Sequence, residues 1–235
     1  MKKNSLWPNY NPESKLFEIG IDEAGRGPMF GRVYSGAVVL PKNDYFKYEL
    51  LKDSKKFTSE KKINEVAEYI KDNAIAWCVS YEDEKVIDSI NIRNATHNAM
   101  HNSIKTIISY LKKNEEICNE FYLLVDGNDF KPYTYLNNKS NIIEQVNHIT
   151  IEGGDNKFCS IAAASILAKV ERDKYIKELC NCYKKLDEYY NLSKNKGYGT
   201  SHHLNGIKKF GISPWHRKTY GSCKNAKYNS EDFYL

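Results

Sequence analysis

The sequence predicts an α/β fold, and three observations support this prediction. Apolar strand-like segments alternate along the chain with amphipathic helical segments. The segment FYLLV (121–125) is apolar throughout, which is typical of a strand buried on both faces. The 235 residues are enough for one core-forming domain, or for such a domain with a smaller appendage.

The predicted elements follow in chain order. Residues 1–15 are polar, contain two prolines and predict a loose arm. Strands are predicted at Leu16–Asp22, Val33–Leu40, Ile75–Tyr81, 121–126 and 148–151. A lysine-rich loop (51–61) leads into an amphipathic helix with Thr58 or Ser59 as N-cap, and further helices are predicted at 91–112 and 161–180. The remainder is helical and basic, with a tail of about a dozen residues.

Composition excludes several classes of protein. A hydrophobic content of 41% with 28% charged residues is typical of a soluble globular protein. No stretch approaches the ~18 apolar residues of a membrane span, and the N-terminus lacks an apolar signal core, so we expect a cytoplasmic protein. The net charge of +5 tolerates a polyanionic partner without requiring one. Dispersed cysteines signal neither a zinc site nor a disulfide framework, and reduced thiols are expected at positions 78, 118, 159, 180, 182 and 223.

Two acids, Asp22 and Glu23, end the first strand immediately before a glycine-rich turn. Adjacent strand residues point to opposite faces, so at most one of these carboxylates points to the solvent side of a half-buried sheet. A buried unpaired carboxylate costs several kcal/mol, and a divalent metal would relieve that cost most simply. The alternative is a tight turn with an acid pair on the surface.

The turn itself contains Gly25, Arg26 and Gly27. Glycines permit positive φ and close approach of the backbone, so peptide N–H groups and the guanidinium can together face a phosphate or a sugar hydroxyl.

Two further strand ends repeat this pattern. Asp126 follows the apolar strand and precedes a glycine, and Asp155 follows a short β-rich segment and two glycines, whereas Asp129 is explained as a turn residue. Open α/β sheets bind their ligands at the carboxyl ends of strands. Acids at the ends of three predicted strands are therefore expected to lie together at one edge of the sheet.

Two lysines and two histidines each have two possible interpretations. Lys55 and Lys56 are either solvated residues at a helix entry or phosphate contacts. His97 and His101 lie four apart and can share a metal in principle, but no carboxylate follows with the spacing of a zinc protease, so packing or surface roles are preferred.

Two more residues stay open in the same way. Lys169 shares a helix face with Ser165 and is either a surface lysine or a charge directed at the acids. Tyr198 lies in the basic loop KNKGYGTSHHL (194–204) and either stacks on a sugar or base or packs against the sheet edge.

Taken together, the motifs resemble those of the type 2 ribonucleases H, specifically the bacterial ribonuclease HII family. The similar segments run in family order across nearly the whole chain: GIDEAGRGP (20–28), LKDSKKFT (51–58), LLVDGN (123–128), GGD (153–155), AASILAKVERD (163–173), KGYGTSHHL (196–204) and PWHRKTYG (214–221). The chain departs from the family pattern at Phe30 and Arg32, which concerns the packing of the second strand and not the acid pair.

The resemblance implies a ribonuclease H-like fold, a mixed five-stranded sheet flanked by helices with a C-terminal helical extension. It implies an arm at residues 1–15, a catalytic domain at 16–180 and the extension and tail at 181–235. The family's metal-binding catalytic acids fall on Asp22, Glu23, Asp126 and Asp155. Its substrate-binding residues fall on Gly25, Arg26 and Gly27, which contact the ribose 2′-hydroxyl, on Tyr198, which stacks on the next deoxyribose, and on Lys55 and Lys169.

The expected activity follows from this resemblance. Two Mg²⁺ or Mn²⁺ ions suit an all-carboxylate site, and the expected reaction is hydrolysis of RNA in RNA–DNA hybrids and 5′ of single ribonucleotides in duplex DNA, leaving 3′-hydroxyl and 5′-phosphate ends. We expect a monomer with no membrane partner. The C-terminal YNSEDFYL is either a frayed tail or a contact with a replication clamp. Two alternatives are a related nuclease that cuts DNA and a catalytically silent hybrid-binding module.

Overall fold

The computed structural model describes residues 6–114, 120–137 and 141–233, and the structural statements below refer to these residues. Strands and helices are labelled in chain order: β1 (Phe17–Ala24), β2 (Val33–Val39), α1 (Glu60–Asn73), β3 (Ala76–Glu82), α2 (Glu84–Asn114), β4 (Phe121–Asp126), β5 (Thr134–Asn137), β6 (Ile142–Gln145), β7 (Asn147–Ile151), α3 (Cys159–Cys182), α4 (Lys184–Tyr190), α5 (Leu192–Asn195) and α6 (Ser201–Phe210). Short 3-10 helices include Ser54–Lys56 and Gly154–Asn156.

Five strands form one sheet in the order β3-β2-β1-β4-β7. β1 pairs in parallel with β4, and β4 pairs in parallel with β7. Only residues 25–32 connect the neighbouring strands β1 and β2, which is too short for a parallel crossover, so this pair is antiparallel and the sheet is mixed. The predicted fold class is confirmed. The sequence did not predict the separate two-stranded sheet of β5 and β6.

The chain divides into two compact units. The first unit comprises Met1–Glu23, Ser35–Ser80 and His97–Val170, and the second comprises Ala24–Tyr34, Tyr81–Thr96 and Glu171–Leu235. The domain boundaries implied by the family resemblance, at residues 15 and 180, stay predictions.

Two hydrophobic clusters cover the sheet within the first unit. One packs α2 residues such as Ile104 and Leu111 against Ile19 and Leu123. The other packs α1 and α3 against strand β2. The predicted face of α1 is the buried one, and Ser59 caps this helix by accepting a hydrogen bond from the N–H of Lys62.

Helix α3 approaches the sheet unusually closely because both sides carry small residues. A Cβ placed on Gly20 would lie 2.2 Å from the carbonyl carbon of Ser160, and one on Gly36 would lie 2.3 Å from the carbonyl oxygen of Ala164. These distances are shorter than any ordinary van der Waals contact. The run Ala162–Ala164 therefore allows a helix-to-strand approach that larger side chains would prevent.

The N-terminal segment is anchored from residue 6 onward. The N–H groups of Tyr10 and Asn11 each donate to the Glu18 carboxylate at 2.8 Å. Lys42 donates to Glu18 and also to the carbonyl oxygens of Asn11 and Ser14. The prediction of a loose arm is therefore wrong for residues 6–15, and residues 1–5 of that arm lie outside the described residues.

Helix α2 differs from its prediction at the N-terminal end. The helical segment begins at Glu84 and is interrupted at Asn91, whose φ is 67°. The Asn91 side chain accepts a hydrogen bond from the N–H of Asn94, so it caps the part of the helix that the sequence predicted. The turns before Asn91 were missed because Asn91 and its polar neighbours weaken the helical pattern there.

The second unit holds the C-terminal residues in an aromatic cluster. Phe233 is buried and packs against Tyr190 and Trp215. Asp232 pairs with Lys185. The prediction of a frayed tail is wrong as far as residue 233, while Tyr234 and Leu235 lie outside the described residues.

Within the described part of the chain, no helix is long and apolar enough to cross a membrane. Five of the cysteines are free thiols, as predicted, and Cys118 lies outside the described residues.

Gly20→Ala should lower the free energy of unfolding by about 1–3 kcal/mol, because the added methyl group would overlap the α3 backbone. Urea denaturation measures this loss. Gly199→Ala is the control, since its Cβ would meet the flexible end of Met29 at 3.3 Å. Equal stability of the two variants would contradict the tight packing of α3.

Candidate active site

Strand register brings the predicted acids of β1 and β4 to the same edge of the sheet. Ile21 pairs with Val125 in the parallel β1–β4 ladder, so Asp22 and Asp126 follow at equivalent positions. Asp126 in turn lies opposite Ile151, the last residue of β7, three residues before Gly154. The expectation that three strand ends deliver acids to one edge is supported by this register.

Asp22 is buried at the end of β1, whereas Glu23 is only partly buried. The N–H of Glu23 donates to the Asp22 carboxylate at 2.7 Å. Burial raises the pKa of Asp22 well above its usual value, and the charges of Glu23 and Asp126 raise it further, against the opposing effect of a hydrogen bond from Ser165. Asp22 is therefore a carboxylate whose ionised form needs a cation nearby.

A glycine turn completes the environment of Asp126. The N–H of Gly154 donates to Asp126 Oδ1 at 2.7 Å. A Cβ on Gly154 would lie 3.3 Å from that oxygen and 2.6 Å from Ile161 Cδ1, so a larger residue here would displace the Ile161 side chain and crowd the Asp126 carboxylate. Gly153 before it has a φ of 61°, the left-handed conformation that glycine adopts readily. The GGD motif thus places Asp155 beside Asp126.

Asp155 is buried in the 3-10 helix Gly154–Asn156. Burial raises its pKa first, and the neighbouring charges of Asp126 and Asp53 raise it further. The coupling of Asp126 to both Asp22 and Asp155 joins the three predicted acids into one electrostatic cluster.

Asp53 and Asn156 belong to this cluster, although the sequence did not single them out. Asn156 Nδ2 lies 3.2 Å from Asp53 Oδ2 and 3.1 Å from Asp155 Oδ1, so one amide bridges two carboxylates. Burial opposes ionisation of Asp53, but hydrogen bonds from the Lys55 N–H and Asn156 leave its pKa lowered. Asp53 could have been found from the sequence as a helix N-cap, because it precedes the short helical turn Ser54–Lys56 and caps it in the structure.

Lys55 has an electrostatic effect on the acids, whereas the role of Lys169 is not tested by the structure. Lys55 is exposed, and its charge lowers the pKa values of Asp53 and Asp155. This proximity favours a role at the acids over a remote solvated position. Lys169 is partly buried on α3 in the same unit, and its predicted role stays a prediction.

The donor set fits a divalent metal. Carboxylate oxygens without histidine or cysteine suit Mg²⁺ or Mn²⁺. No three His, Cys, Asp or Glu side chains of the described residues are grouped closely enough to enclose an ion by themselves. Asp22 interacts electrostatically with Glu23 and Asp126, and Asp155 interacts with Asp126 and Asp53. An ion held by these acids would complete its coordination with waters and substrate phosphates, as Mg²⁺ does.

In the second unit, one buried arginine fixes the glycine-rich turn. Arg217 is fully buried, and its guanidinium donates to four carbonyl oxygens of the turn. The distances are 2.6 Å to Gly25, 3.0 Å to Arg26, 2.8 Å to Gly31 and 3.1 Å to Arg32. Burial lowers the pKa of Arg217 to about 10, so it stays charged near neutral pH. From the sequence, Arg217 was only one residue of the PWHRKTYG motif, without a role of its own.

Tyr198 lies next to this turn within the same unit. A Cβ on Gly27 would be 3.5 Å from the Tyr198 ring, and the ring is 52% exposed. The N–H of Met29 donates to the carbonyl oxygen of Gly197 at 2.9 Å, which ties the turn to the tyrosine loop. About half of Tyr198 is exposed beside the turn, and its role in stacking stays a prediction.

Two buried histidines support the Tyr198 backbone through a chain of hydrogen bonds. The N–H of Ser213 donates to His216 Nδ1 at 3.0 Å, so the neutral ring carries its proton on Nε2. That proton faces His203 Nε2 at 2.9 Å, and His203 Nδ1 then donates to the carbonyl oxygen of Tyr198 at 2.9 Å. The motifs around residues 198 and 216 are therefore physically connected.

The other histidine pair has a packing role, as preferred from the sequence. His97 and His101 contact the backbone carbonyl oxygens of Asp129 and Lys131. Both rings also pack against Phe130.

Comparison with known proteins gives one consistent family. The model of the family described as Ribonuclease HII matches residues 19–223. Proteins named Ribonuclease HII from Phocaeicola vulgatus and Parabacteroides distasonis are 41% and 43% identical, over 92% and 88% of this chain and 93% and 92% of their own.

Solved structures with a similar fold extend this comparison. They include ribonuclease H2 from Pyrococcus horikoshii (TM-score 0.62, 24% identity, 89% of this chain and 96% of that one). An Archaeoglobus fulgidus PCNA:RNase HII complex gives a TM-score of 0.63 at 23% identity over 89% and 98% of the two chains. Bst-RNase HIII in complex with Mn²⁺ gives 0.57 at 15% identity over 83% and 70%.

Stability should fall as the pH drops below about 6.5, the ordinary pKa of an unfolded histidine. Burial lowers the pKa values of His203 and His216, so the unfolded chain binds more protons than the folded chain in this range. Each histidine contributes a slope of up to about 1.4 kcal/mol per pH unit. Urea unfolding between pH 5 and 8 should show a shallower slope for His216→Gln than for the exposed control His202→Gln. Identical slopes would contradict a neutral buried pair.

Proposed function

The chain belongs to the ribonuclease HII family of metal-dependent endoribonucleases, and we propose that it also cuts on the 5′ side of single ribonucleotides in duplex DNA by two-metal-ion catalysis. As a member of this family it hydrolyses the RNA strand of RNA–DNA hybrids. The observation that carries the proposal is the electrostatic cluster of Asp22, Asp126 and Asp155 at the carboxyl edge of the sheet.

The four acids have the role of holding the cations. Asp22, Glu23, Asp126 and Asp155 would supply the oxygens, and Mg²⁺ or Mn²⁺ would both satisfy this donor set. When bound, two such ions would supply water activation and charge stabilisation at the leaving 3′-oxygen of an in-line phosphoryl displacement. The expected products carry 3′-hydroxyl and 5′-phosphate ends. The Gly154 N–H keeps the Asp126 carboxylate oriented throughout.

The second unit would recognise the sugar. Gly25, Arg26 and Gly27 form a turn in which Arg217 holds the carbonyl oxygens of Gly25 and Arg26. The exposed Arg26 side chain and the turn's N–H groups would face the ribose 2′-hydroxyl. The exposed ring of Tyr198 would stack on the adjacent deoxyribose. Only the 2′-hydroxyl distinguishes RNA from DNA locally, so these contacts would set specificity.

Lysines would hold the strand by its phosphates. Lys55 is exposed beside the acids, and Lys169 is proposed to act in the same unit. We further propose that the protein is a monomer, acts in the cytoplasm and contacts a replication clamp. The clamp contact is proposed because RNase HII from Archaeoglobus fulgidus forms a complex with PCNA.

Asp126→Asn should reduce cleavage of an RNA–DNA hybrid by more than about 100-fold, since loss of an outer partner of a metal ligand alone costs 10–100-fold. The asparagine oxygen still accepts the Gly154 N–H, and the variant removes a charge that repels Asp22 and Asp155, so the thermal unfolding midpoint without metal should not fall. Glu152→Gln is the control and should retain activity, since Glu152 is an exposed acid between the end of β7 and the Gly153–Gly154 turn. Full activity of Asp126→Asn, or cleavage in excess EDTA, would contradict the metal role.

A duplex bearing one ribonucleotide should be cut at its 5′ side, whereas the all-deoxy duplex should resist cleavage, because the 2′-hydroxyl is the recognised group. Tyr198→Ala should lower kcat/KM on the ribonucleotide duplex by roughly 5- to 100-fold, and Tyr198→Phe should retain most of it, since stacking needs the ring and not the hydroxyl. Product mapping on a sequencing gel measures both effects. Equal cutting of the two duplexes would place the protein among DNA-cutting relatives instead.

A further inference from the structure

Trp7 is an exposed aromatic residue on a fixed backbone. Its side chain is 69% exposed, the largest exposure of any tryptophan in the described residues. Its N–H donates to the carbonyl oxygen of Lys157 at 2.8 Å, and its own carbonyl oxygen accepts from the N–H of Cys159 at 2.9 Å. These two bonds form a parallel bridge with Phe158. The indole is therefore held in solvent at a defined place.

That place is next to the acid cluster within the first unit. Lys157 follows directly after the 3-10 helix Gly154–Asn156, which contains Asp155. Trp7 thus pairs with Phe158, three residues beyond the proposed metal ligand Asp155. The model of the ribonuclease HII family begins its match at residue 19, so the family comparison assigns nothing to Trp7.

The indole is not needed to anchor the N-terminal segment. Tyr10 stacks on Tyr122 and also contacts Phe158, both at 5.6 Å between ring centroids. The Glu18 carboxylate accepts the N–H groups of Tyr10 and Asn11. Main-chain bonds and Tyr10 therefore account for anchoring, and the exposed indole has no packing role of comparable size.

Two exposed lysines, Lys56 and Lys157, accompany the segment to which Trp7 is bonded. Lys56 bonds to the side-chain oxygen of Asn156, which neighbours Lys157, and both lysines are exposed. An ammonium group has three donors, so Lys56 keeps two for another acceptor while it holds Asn156. Exposed lysines beside an aromatic ring are the combination that binds nucleic-acid strands, with the cations at phosphates and the ring against a sugar or base.

We propose that Trp7, Lys56 and Lys157 form a binding surface for a nucleic-acid strand beside the acid cluster. The indole packs against the face of a sugar, and the two ammonium groups bind flanking phosphates. Because sugars and phosphates repeat in every sequence, the surface binds without base preference. This proposal rests on the proposed function, since the surface would add contacts between the same site and its nucleic-acid substrate.

The experiment measures equilibrium binding of the full chain to a fluorescein-labelled RNA–DNA hybrid by anisotropy, in EDTA so that no cleavage occurs. Trp7→Ala should weaken binding by about fivefold or more, and Trp7→Phe should restore most of the affinity because a phenyl ring still covers a sugar. Trp77→Ala is the matched control, since Trp77 is also exposed and lies in the same unit on β3, and it should bind like the wild type.

Salt titration separates the ring from the charges. Lys56→Ala and Lys157→Ala should each reduce the slope of log affinity against log salt by about 0.9, the value for one phosphate contact. Trp7→Ala should shift the line without changing its slope, because the indole neutralises no phosphate. Lys61→Ala is the charge control, since Lys61 is 86% exposed and faces Glu65 on α1, and it should leave the line unchanged.

The outcomes distinguish this surface from the function itself. A wild-type protein that neither binds nor cuts the hybrid would overturn the proposed function and this surface together. A wild-type protein that binds and cuts, with Trp7→Ala and Trp77→Ala equal in affinity, would overturn the surface alone. A Trp7→Ala defect that Trp7→Phe fails to restore, together with a lowered unfolding temperature, would also overturn it, because the role would then be structural.

Discussion

Mutual repulsion among buried carboxylates is the constraint on which the site of the first unit depends. Parallel pairing of β1 with β4 places Asp22 and Asp126 at equivalent strand ends, and the GGD turn adds Asp155. Burial and neighbouring charge raise the pKa values of Asp22 and Asp155, which means that the fold keeps these groups where ionisation is unfavourable. A divalent cation bound by these carboxylates would offset their mutual repulsion, which explains why a fold would keep them together.

The surroundings of the acids limit this cost without removing it. Hydrogen bonds from the Glu23 N–H, the Gly154 N–H and the Asn156 amide each stabilise a carboxylate. None of these donors carries a full charge, so they do not neutralise the ionised carboxylates as a divalent cation would. Lys55 and Lys56 lie at its margin, where they favour an anionic substrate as well as the ionised acids.

In the second unit, buried arginines hold a turn whose carbonyl groups are not paired in a helix or strand. Arg217 satisfies four carbonyl oxygens of the turn after β1, and Arg172 donates to the carbonyl oxygens of Phe30 and Lys196. A planar guanidinium suits this task because its donors spread over several acceptors at once. The neutral pair His203 and His216 extends the same support to Tyr198. The result is a rigid turn and a rigid tyrosine loop within one unit.

The sequence predicted those parts of the structure that depend on local pattern. Strand periodicity located β1, β2, β3, β4 and β7 to within two residues, and acids followed by glycines identified the carboxyl edge. The assembly of these five strands into one mixed sheet was implied by the family resemblance, because the pairing of strands depends on contacts between distant residues.

The parts that were missed depend on contacts between residues far apart in the chain. Asp53 meets Asn156, and Arg217 meets Gly25, through folding that no local spacing reveals. The anchored arm and the packed C-terminus were predicted as loose for the same reason, since Glu18 and Tyr190 bind them from elsewhere in the sequence.

The thermal unfolding midpoint of Asp22→Asn, with and without Mn²⁺, tests the carboxylate cluster most directly. An asparagine oxygen still accepts the Glu23 N–H, so the variant removes charge and keeps the hydrogen bond. Without metal it should unfold at a higher temperature than the wild type, and Mn²⁺ should stabilise the wild type much more than the variant. A variant that is less stable than the wild type without metal, and that Mn²⁺ stabilises equally, would contradict the account.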